Sequence, residues 1–299
     1  METIKDKIVE LRPALSKQSV ATYGSLLKSL HTNVYGDKPV ELKDFENSKK
    51  INDYLKSVIP TKRKTTLSAL VVLTDMKEYR DQMLDDIETY NKEQSTQDKN
   101  EKQSESWVET DDVKKLLEKY SAEAKMLYKK KTSQGEAKVL STPELQQIQN
   151  YIILCLLGGE YIPPRRSKDF VDFKIKNIDK SVDNFMEKNK LNFNSYKTAS
   201  TYGLQSVELP KALKSILVKW VKHNPTDYLL FDNNLNKLSN VKLNQRLNKM
   251  FGKKASTNQM RHTYMSNKYK NTSGEMKMMD KDFTAMGSSM AQHMVYVKN

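Results

Sequence analysis

The sequence predicts a mainly α protein with a small antiparallel β-sheet: an all-α first domain over residues 1–93, a linker over 94–106 and an α+β second domain over 107–299. Three observations carry that prediction. Apolar residues before position 91 recur at helical spacing, and no run there alternates convincingly at period two. Residues 91–105 contain no apolar side chain to anchor to a core, which is the composition of an exposed linker. Beyond them, three short β-like segments lie between helical patterns. A chain of 299 residues holds two domains at about 100 to 200 residues each, and each can bury its own core.

In chain order, residues 19–30 place Val20, Tyr23, Leu26, Leu27 and Leu30 on one side of a helix, and 48–58, 65–74 and 75–90 follow with similar spacing. After the linker, 107–128 and 142–157 read as helices. The second opens with Ser141-Thr142-Pro143-Glu144, where a hydroxyl caps the first turn, proline sits where its missing N–H costs nothing, and glutamate favours the positive end of the dipole. Gly158-Gly159 supplies its stop. The β-like segments are 169–178, 191–196 and 202–209, the last two joined by the polar stretch from Lys197 to Thr201 as a hairpin. Helical patterns resume over 212–222, 241–251, 259–270 and 275–286, with a final short one through Tyr296.

Charge is distributed unevenly. The chain has 51 Lys and Arg against 37 Asp and Glu, net +14; residues 1–100 carry 17 and 16, net +1, so the remainder carries 34 and 21, net +13. A domain-sized basic excess favours a polyanion, and nucleic acid over anionic lipid because no basic amphipathic membrane helix is evident. No apolar stretch approaches the roughly 20 residues of a membrane span, and the first residues lack the apolar core of a signal peptide. The single cysteine, Cys155, lies in an apolar run and reads as a buried structural thiol. An intracellular, reducing compartment is expected.

Several chemistries are missing. The four histidines (His31, His223, His262, His293) are scattered, and no His or Cys pair has zinc spacing. Nine glycines form neither GxxxxGK[ST] nor GxGxxG, which speaks against ATP-driven and dinucleotide chemistry. A carboxylate-rich nuclease metal site stays open as an alternative.

What is present is a set of basic segments and a terminal tyrosine. Pro163-Pro164-Arg165-Arg166 places two guanidiniums between a buried helix and a strand, where a rigid fork of donors can meet phosphate oxygens. Lys197 stands at the hairpin turn. Asn258-Gln259-Met260-Arg261-His262-Thr263-Tyr264 opens a helix with polar groups beside an arginine, and Tyr296 lies 35 residues after Arg261.

In this order the segments resemble the tyrosine recombinase (phage integrase) family. That family has an arginine followed three residues later by an acid, a hairpin lysine, an H-x-x-R segment often continuing R-H-[ST]-[FY], a G-[HW] step and a late nucleophilic tyrosine. Here these read Arg166-Ser167-Lys168-Asp169, Lys197, Asn258 to Tyr264, Gly287-Ser288 and Tyr296. The Pro-Pro-Arg-Arg segment is most similar to the branch carried by large DNA viruses and their mobile elements. Two positions depart from the pattern: Asn258 replaces the first histidine, and Ser288 the His or Trp after glycine. His293, three residues before Tyr296, is one helical turn away and is a further candidate for the missing imidazole.

The resemblance implies a helical core-binding domain, a linker and an α+β catalytic domain. It implies Arg166 and Arg261 on the non-bridging oxygens of a scissile phosphate, Tyr296 as nucleophile forming a 3′-phosphotyrosine, and Lys197 as general acid, with Asn258 and Ser288 in the family's remaining catalytic positions. Neither metal nor ATP is required by that chemistry. The implied partner is double-stranded DNA, held by a homotetramer on two duplexes, with integration of viral or mobile-element DNA as the outcome and the host cytoplasm or nucleus, or a virion, as the place. Lys62, Arg63 and Lys64, grouped with Lys56, and Arg165 beside the first catalytic arginine are the DNA-contact candidates. Only three residues follow Tyr296, so the tail helix that many relatives exchange between subunits is either absent or lies beyond the 299 residues of this sequence. Type IB topoisomerase chemistry and a catalytically degenerate DNA-binding module remain alternatives.

Overall fold

The computed structural model describes residues 3–95, 99, 101–136 and 138–285, and the chain divides into two compact units, Met1–Lys99 and Asn100–Asn299. The first unit is all helical: α1 (Ile4–Leu11), α2 (Lys17–Tyr35), α3 (Ser48–Leu55), α4 (Pro60–Thr74) and α5 (Lys77–Ser95). Helix α1 was not legible from apolar spacing alone. It starts at a reciprocal cap in which Asp6 N–H donates to Thr3 Oγ1 and Thr3 N–H to Asp6 Oδ2. Ile4, Ile8, Leu27, Leu30, Phe45, Leu67 and Leu70 form the core.

Several buried polar groups in this unit are paired. His31 Nε2 lies 2.9 Å from Asp44 Oδ2 and Lys38 Nζ 2.9 Å from Oδ1, holding the Asp44 carboxyl down at about 2. Tyr79 donates to the Phe45 carbonyl at 2.7 Å. Helix α5 extends five residues past the predicted end, into the polar stretch.

The second unit contains α6 (Glu101–Ser106), α7 (Thr110–Tyr128), α8 (Thr142–Leu157), α9 (Ser167–Val171), β1 (Phe173–Lys174), β2 (Asn184–Glu187), β3 (Lys190–Phe193), α10 (Ala199–Tyr202), β4 (Gln205–Glu208), α11 (Lys211–His223), α12 (Asn240–Phe251), α13 (Thr257–Lys268) and α14 (Thr272–Ala285). Helix α8 is its spine. The Ser141 N–H and hydroxyl both donate to Glu144 at its start, and residues 151–157 are buried without a break. Gln149 makes a two-way bond with the Phe231 backbone, accepting at 2.8 Å and donating at 2.9 Å, so even a polar residue of α8 faces inward. Cys155 is fully buried, and burial pushes its thiol up to about 12.

The sheet is small, as expected, but mixed: its order is β1-β2-β3-β4, with β1 parallel to β2 and the other pairs antiparallel. The loop from 175 to 183 returns the chain to the starting edge, so β2 runs in the same direction as β1. The other edge of β1 is bridged antiparallel at Tyr228, where Leu229 N–H donates to the Phe173 carbonyl. Two sequence expectations change here. Residues 169–178 are not one strand, because α9 occupies the first part and leaves only Phe173–Lys174 extended. The tight hairpin is β2–β3, turning at Lys188-Asn189 with Lys188 at φ 54°, whereas the 197–201 connection contains the helical turn α10.

Candidate functional site

The candidate site is built where α8 ends. Gly158 closes the helix, Gly159 takes φ +81°, and the chain passes through Pro163-Pro164 to Arg166, the extended N-cap of α9. Gly159 is required twice over: the conformation favours glycine, and a Cβ there would approach Tyr264 Cδ2 to 2.6 Å. Gly159→Ala should therefore destabilise this unit by about 1–3 kcal/mol. Denaturation followed by tryptophan fluorescence checks it, since Trp107 and Trp220 both belong to this unit; an unchanged midpoint would contradict the close approach.

The two consecutive arginines part company. Arg165 turns inward: Nε donates to Asp169 Oδ2 at 2.8 Å, Nη1 to Gln205 Oε1 at 3.0 Å, and the guanidinium lies 4.0 Å from the Phe193 ring centre and 5.3 Å from that of Tyr196. Arg166 is exposed, and its side chain makes no hydrogen bond or ion pair among the described residues. Asp169 is buried, with Oδ1 accepting no hydrogen bond. Its burial raises its pKa against the pull of Arg165, Arg166 and Arg261.

Arg261 comes from α13. Ser256 caps that helix by accepting from Gln259 N–H, Asn244 accepts from Thr257 N–H at 3.1 Å, and Thr263 donates to the Val108 carbonyl at 2.8 Å, which fixes its orientation. Half-buried Arg261 donates to Asn258 Oδ1 at 3.4 Å. Burial and the charge of Arg166 push its pKa down, and Asp169 opposes them. Arg165, Arg166 and Arg261 thus gather around one buried carboxylate, a concentration of positive charge that can receive an anion. His262, the next residue, is exposed.

Lys197 sits in the turn between β3 and α10, exposed and without a described partner. Tyr196, immediately before it, donates to the Gly203 carbonyl at 2.6 Å and closes the loop. Asn184 adds a brace: its amide donates to the Asp169 and Ser195 carbonyls and accepts from Ser195 N–H. Nothing in the sequence pattern signals this asparagine, nor the stacking of Arg165 on Phe193. Ser288, His293 and Tyr296 lie outside the described residues. Tyr264, on α13, accepts from Lys268 Nζ at 2.9 Å and borders an open groove of about 540 Å³ beside Gly159. No three His, Cys, Asp or Glu side chains among the described residues are arranged to hold a metal ion.

The DNA-contact candidates of the first unit differ in availability. Arg63 forms a two-pronged ion pair with buried Asp86, linking α4 to α5. Lys64 Nζ lies 4.0 Å from the Tyr90 ring centre, and Lys62 is exposed.

No protein-family model and no curated protein sequence matches the chain. Among solved structures it is similar to the XerA recombinase, at 16% identity over 88% of this chain and 83% of that one, with a TM-score of 0.36. It is also similar to a dimer of lambda integrase residues 75–356 bound to a COC′ core site, at 13% identity, 90% and 89% coverage and a TM-score of 0.48. A second structure of that integrase fragment bound to DNA gives 12%, 92%, 89% and 0.46. These neighbours are tyrosine recombinases. Similarity at this level carries no weight for the chemistry, which rests on the residues at the end of α8.

Proposed function

We propose that the chain is a DNA strand-exchange enzyme of the tyrosine recombinase type. The observation that carries this reading is that Arg166 and Arg261 both lie close enough to buried Asp169 to feel its charge, with the exposed Arg166 side chain making no hydrogen bond or ion pair among the described residues. Like charges held together without a ligand repel, and a single buried carboxylate offsets only part of that. A phosphodiester supplies the remaining negative charge, and more of it develops as the phosphorus becomes five-coordinate.

In the proposed cycle the Tyr296 oxygen bonds to phosphorus, the bond from phosphorus to the 5′ oxygen breaks, and the departing oxygen takes a proton from Lys197. Tyrosine, with an ordinary pKa near 10, gives up its own proton to solvent water as it attacks. Arg166 and Arg261 hold the non-bridging oxygens. Asn258, whose Oδ1 already orients Arg261, would help fix that guanidinium. Rejoining runs the same steps in reverse with a 5′ hydroxyl from the same or another strand, so the chemistry consumes no bond energy. Exposed Lys62 and the basic excess of the second unit would hold duplex DNA. Arg63 and Arg165 have their guanidiniums committed to Asp86 and Asp169, which leaves them less to offer a phosphate. The similarity of Pro163-Pro164-Arg165-Arg166 to viral and mobile-element recombinases supports integration of such DNA by a tetramer on two duplexes.

Trapping tests the reading. A pool of duplexes, each nicked just 3′ of a possible scissile phosphate and randomised around it, is incubated with the chain in chelator without ATP. Loss of the short leaving strand should strand the protein on DNA as a covalent adduct. A chain that shifts this pool on a native gel yet forms no adduct is a binding module instead. Exchange of strands between two trapped sequences, rather than relaxation of supercoils alone, separates a recombinase from a topoisomerase.

A further inference from the structure

The residue beside the first catalytic arginine has contacts that reach the loop carrying the lysine. Arg165 is bonded at one end to Asp169 of α9, the helix that Arg166 caps, and at the other to Gln205, the first residue of β4. Its face covers Phe193, the last residue of β3, and the edge of the same stack is Tyr196, the residue before Lys197. Phe193 and Gln205 are register partners across β3 and β4. The loop from 194 to 204 therefore leaves and re-enters the sheet at two residues that both touch one guanidinium.

We propose that Arg165 is a positioning residue that locks the Lys197 loop to the Arg166 segment, so that the general acid and the phosphate-binding arginine are held as one unit. The roles of Lys197 and Arg166 are those of the function proposed above; the mechanical link stands on geometry alone. A planar guanidinium suits this task because it can stack on two rings while its edges bond in two directions, which a lysine ammonium cannot do. The Asn184 amide, which joins the Asp169 carbonyl to both backbone groups of Ser195, is a second, parallel tie. Lys197 itself has no described partner, so its location depends on the loop that bears it.

Two variants test the link in the full-length chain. Arg165→Met keeps the apolar stem on Phe193 but removes the fork, and Gln205→Leu removes the bond to β4 while leaving the Arg165–Asp169 pair intact. Amide hydrogen exchange reads the loop directly, without reference to activity. Ala199, Thr201, Tyr202 and Gly203 donate within the loop, and their exchange should quicken at least about tenfold in both variants while α8 and α11 stay protected. Unchanged loop exchange overturns the proposal, and so does a uniform acceleration across the unit, which marks a merely structural pair.

The catalytic arm uses a trapped duplex made with either oxygen or sulfur at the 5′ bridging position, since a thiolate leaves without needing a proton. With oxygen, both variants should form adduct slower by on the order of 10²-fold at saturating DNA. With sulfur they should regain most of the wild-type rate, as Lys197→Ala should and Arg166→Ala should not. Equal slowing on both substrates, or lost duplex affinity with an unchanged rate, overturns the positioning role. Absence of adduct from the wild-type chain sinks the proposed function instead, and the exchange arm alone then decides on the link.

Discussion

Tyr296→Phe is expected to abolish the covalent protein–DNA adduct while leaving duplex affinity within a few-fold of wild type. The proposed intermediate is an ester of that one oxygen, and phenylalanine keeps the ring but has nothing to bond to phosphorus. Affinity, in contrast, is spread over many phosphate contacts from a unit-wide basic excess, so the loss of one hydroxyl is small. Adduct formation on a nicked duplex and a native gel on the same samples separate the two quantities. Persistence of the adduct in Tyr296→Phe would move the nucleophile elsewhere; Tyr264 and Tyr269, in and just after α13, are the nearest in sequence to Arg261.

Arg261→Ala should slow adduct formation by about 10²–10³-fold, corresponding to about 3–4 kcal/mol of transition-state stabilisation. The size follows from the environment. Arg261 is half-buried, its charge is already disfavoured by burial and by Arg166, and among the described residues Asp169 opposes them. A charge held in place under those conditions interacts strongly with one that develops next to it and needs no reorganisation when the reaction starts. Arg261→Lys is expected to recover little, because an ammonium lacks the rigid planar fork that meets two phosphate oxygens side by side while another edge bonds Asn258. Single-turnover rates at saturating DNA measure the effect. A parallel collapse of binding and cleavage would make Arg261 an affinity residue and remove its proposed role.

The pairing of Arg165 with Asp169 bears on both results. Arg165 is bonded to one oxygen of Asp169, the other oxygen accepts no hydrogen bond, and the charges of Arg166 and Arg261 also act on this carboxyl. In the proposed function a bound phosphate would offset the positive charge that Asp169 leaves uncompensated. The pairing also assigns different work to neighbours in sequence: Arg165 holds the scaffold, and Arg166 faces outward.

Much of the fold was legible because its signals are local. Helix α8 announced itself through a capping sequence, an apolar run and a glycine pair, and all three act within a few residues of one another. The sheet was harder. Strand β2 carries buried Asn184 where an alternating pattern would call for an apolar residue, since that amide satisfies backbone groups of α9 and of the loop before Lys197. Its partners are 11 and 15 residues away, so no period in the sequence reveals them. The parallel pairing of β1 with β2 is set by a nine-residue return loop and by the bridge to Tyr228, again a non-local cause.

The candidate site divides along the same line. Residue types and order exposed Arg166, Lys197 and Arg261, because the chemistry needs those groups. What the sequence could not show was which of two adjacent arginines faces solvent. That choice is made by Phe193 of β3, Tyr196 of the loop that follows it and Gln205 of β4, brought onto the inner guanidinium.

The central claim, transfer of a DNA phosphate to this chain's own tyrosine, is tested most directly by digesting the trapped adduct with protease and nuclease and locating the residual nucleotide by mass spectrometry. The account predicts a nucleotide 3′-phosphate esterified to Tyr296. A nucleotide on any other residue, or a 5′-linked one on Tyr296, would contradict it.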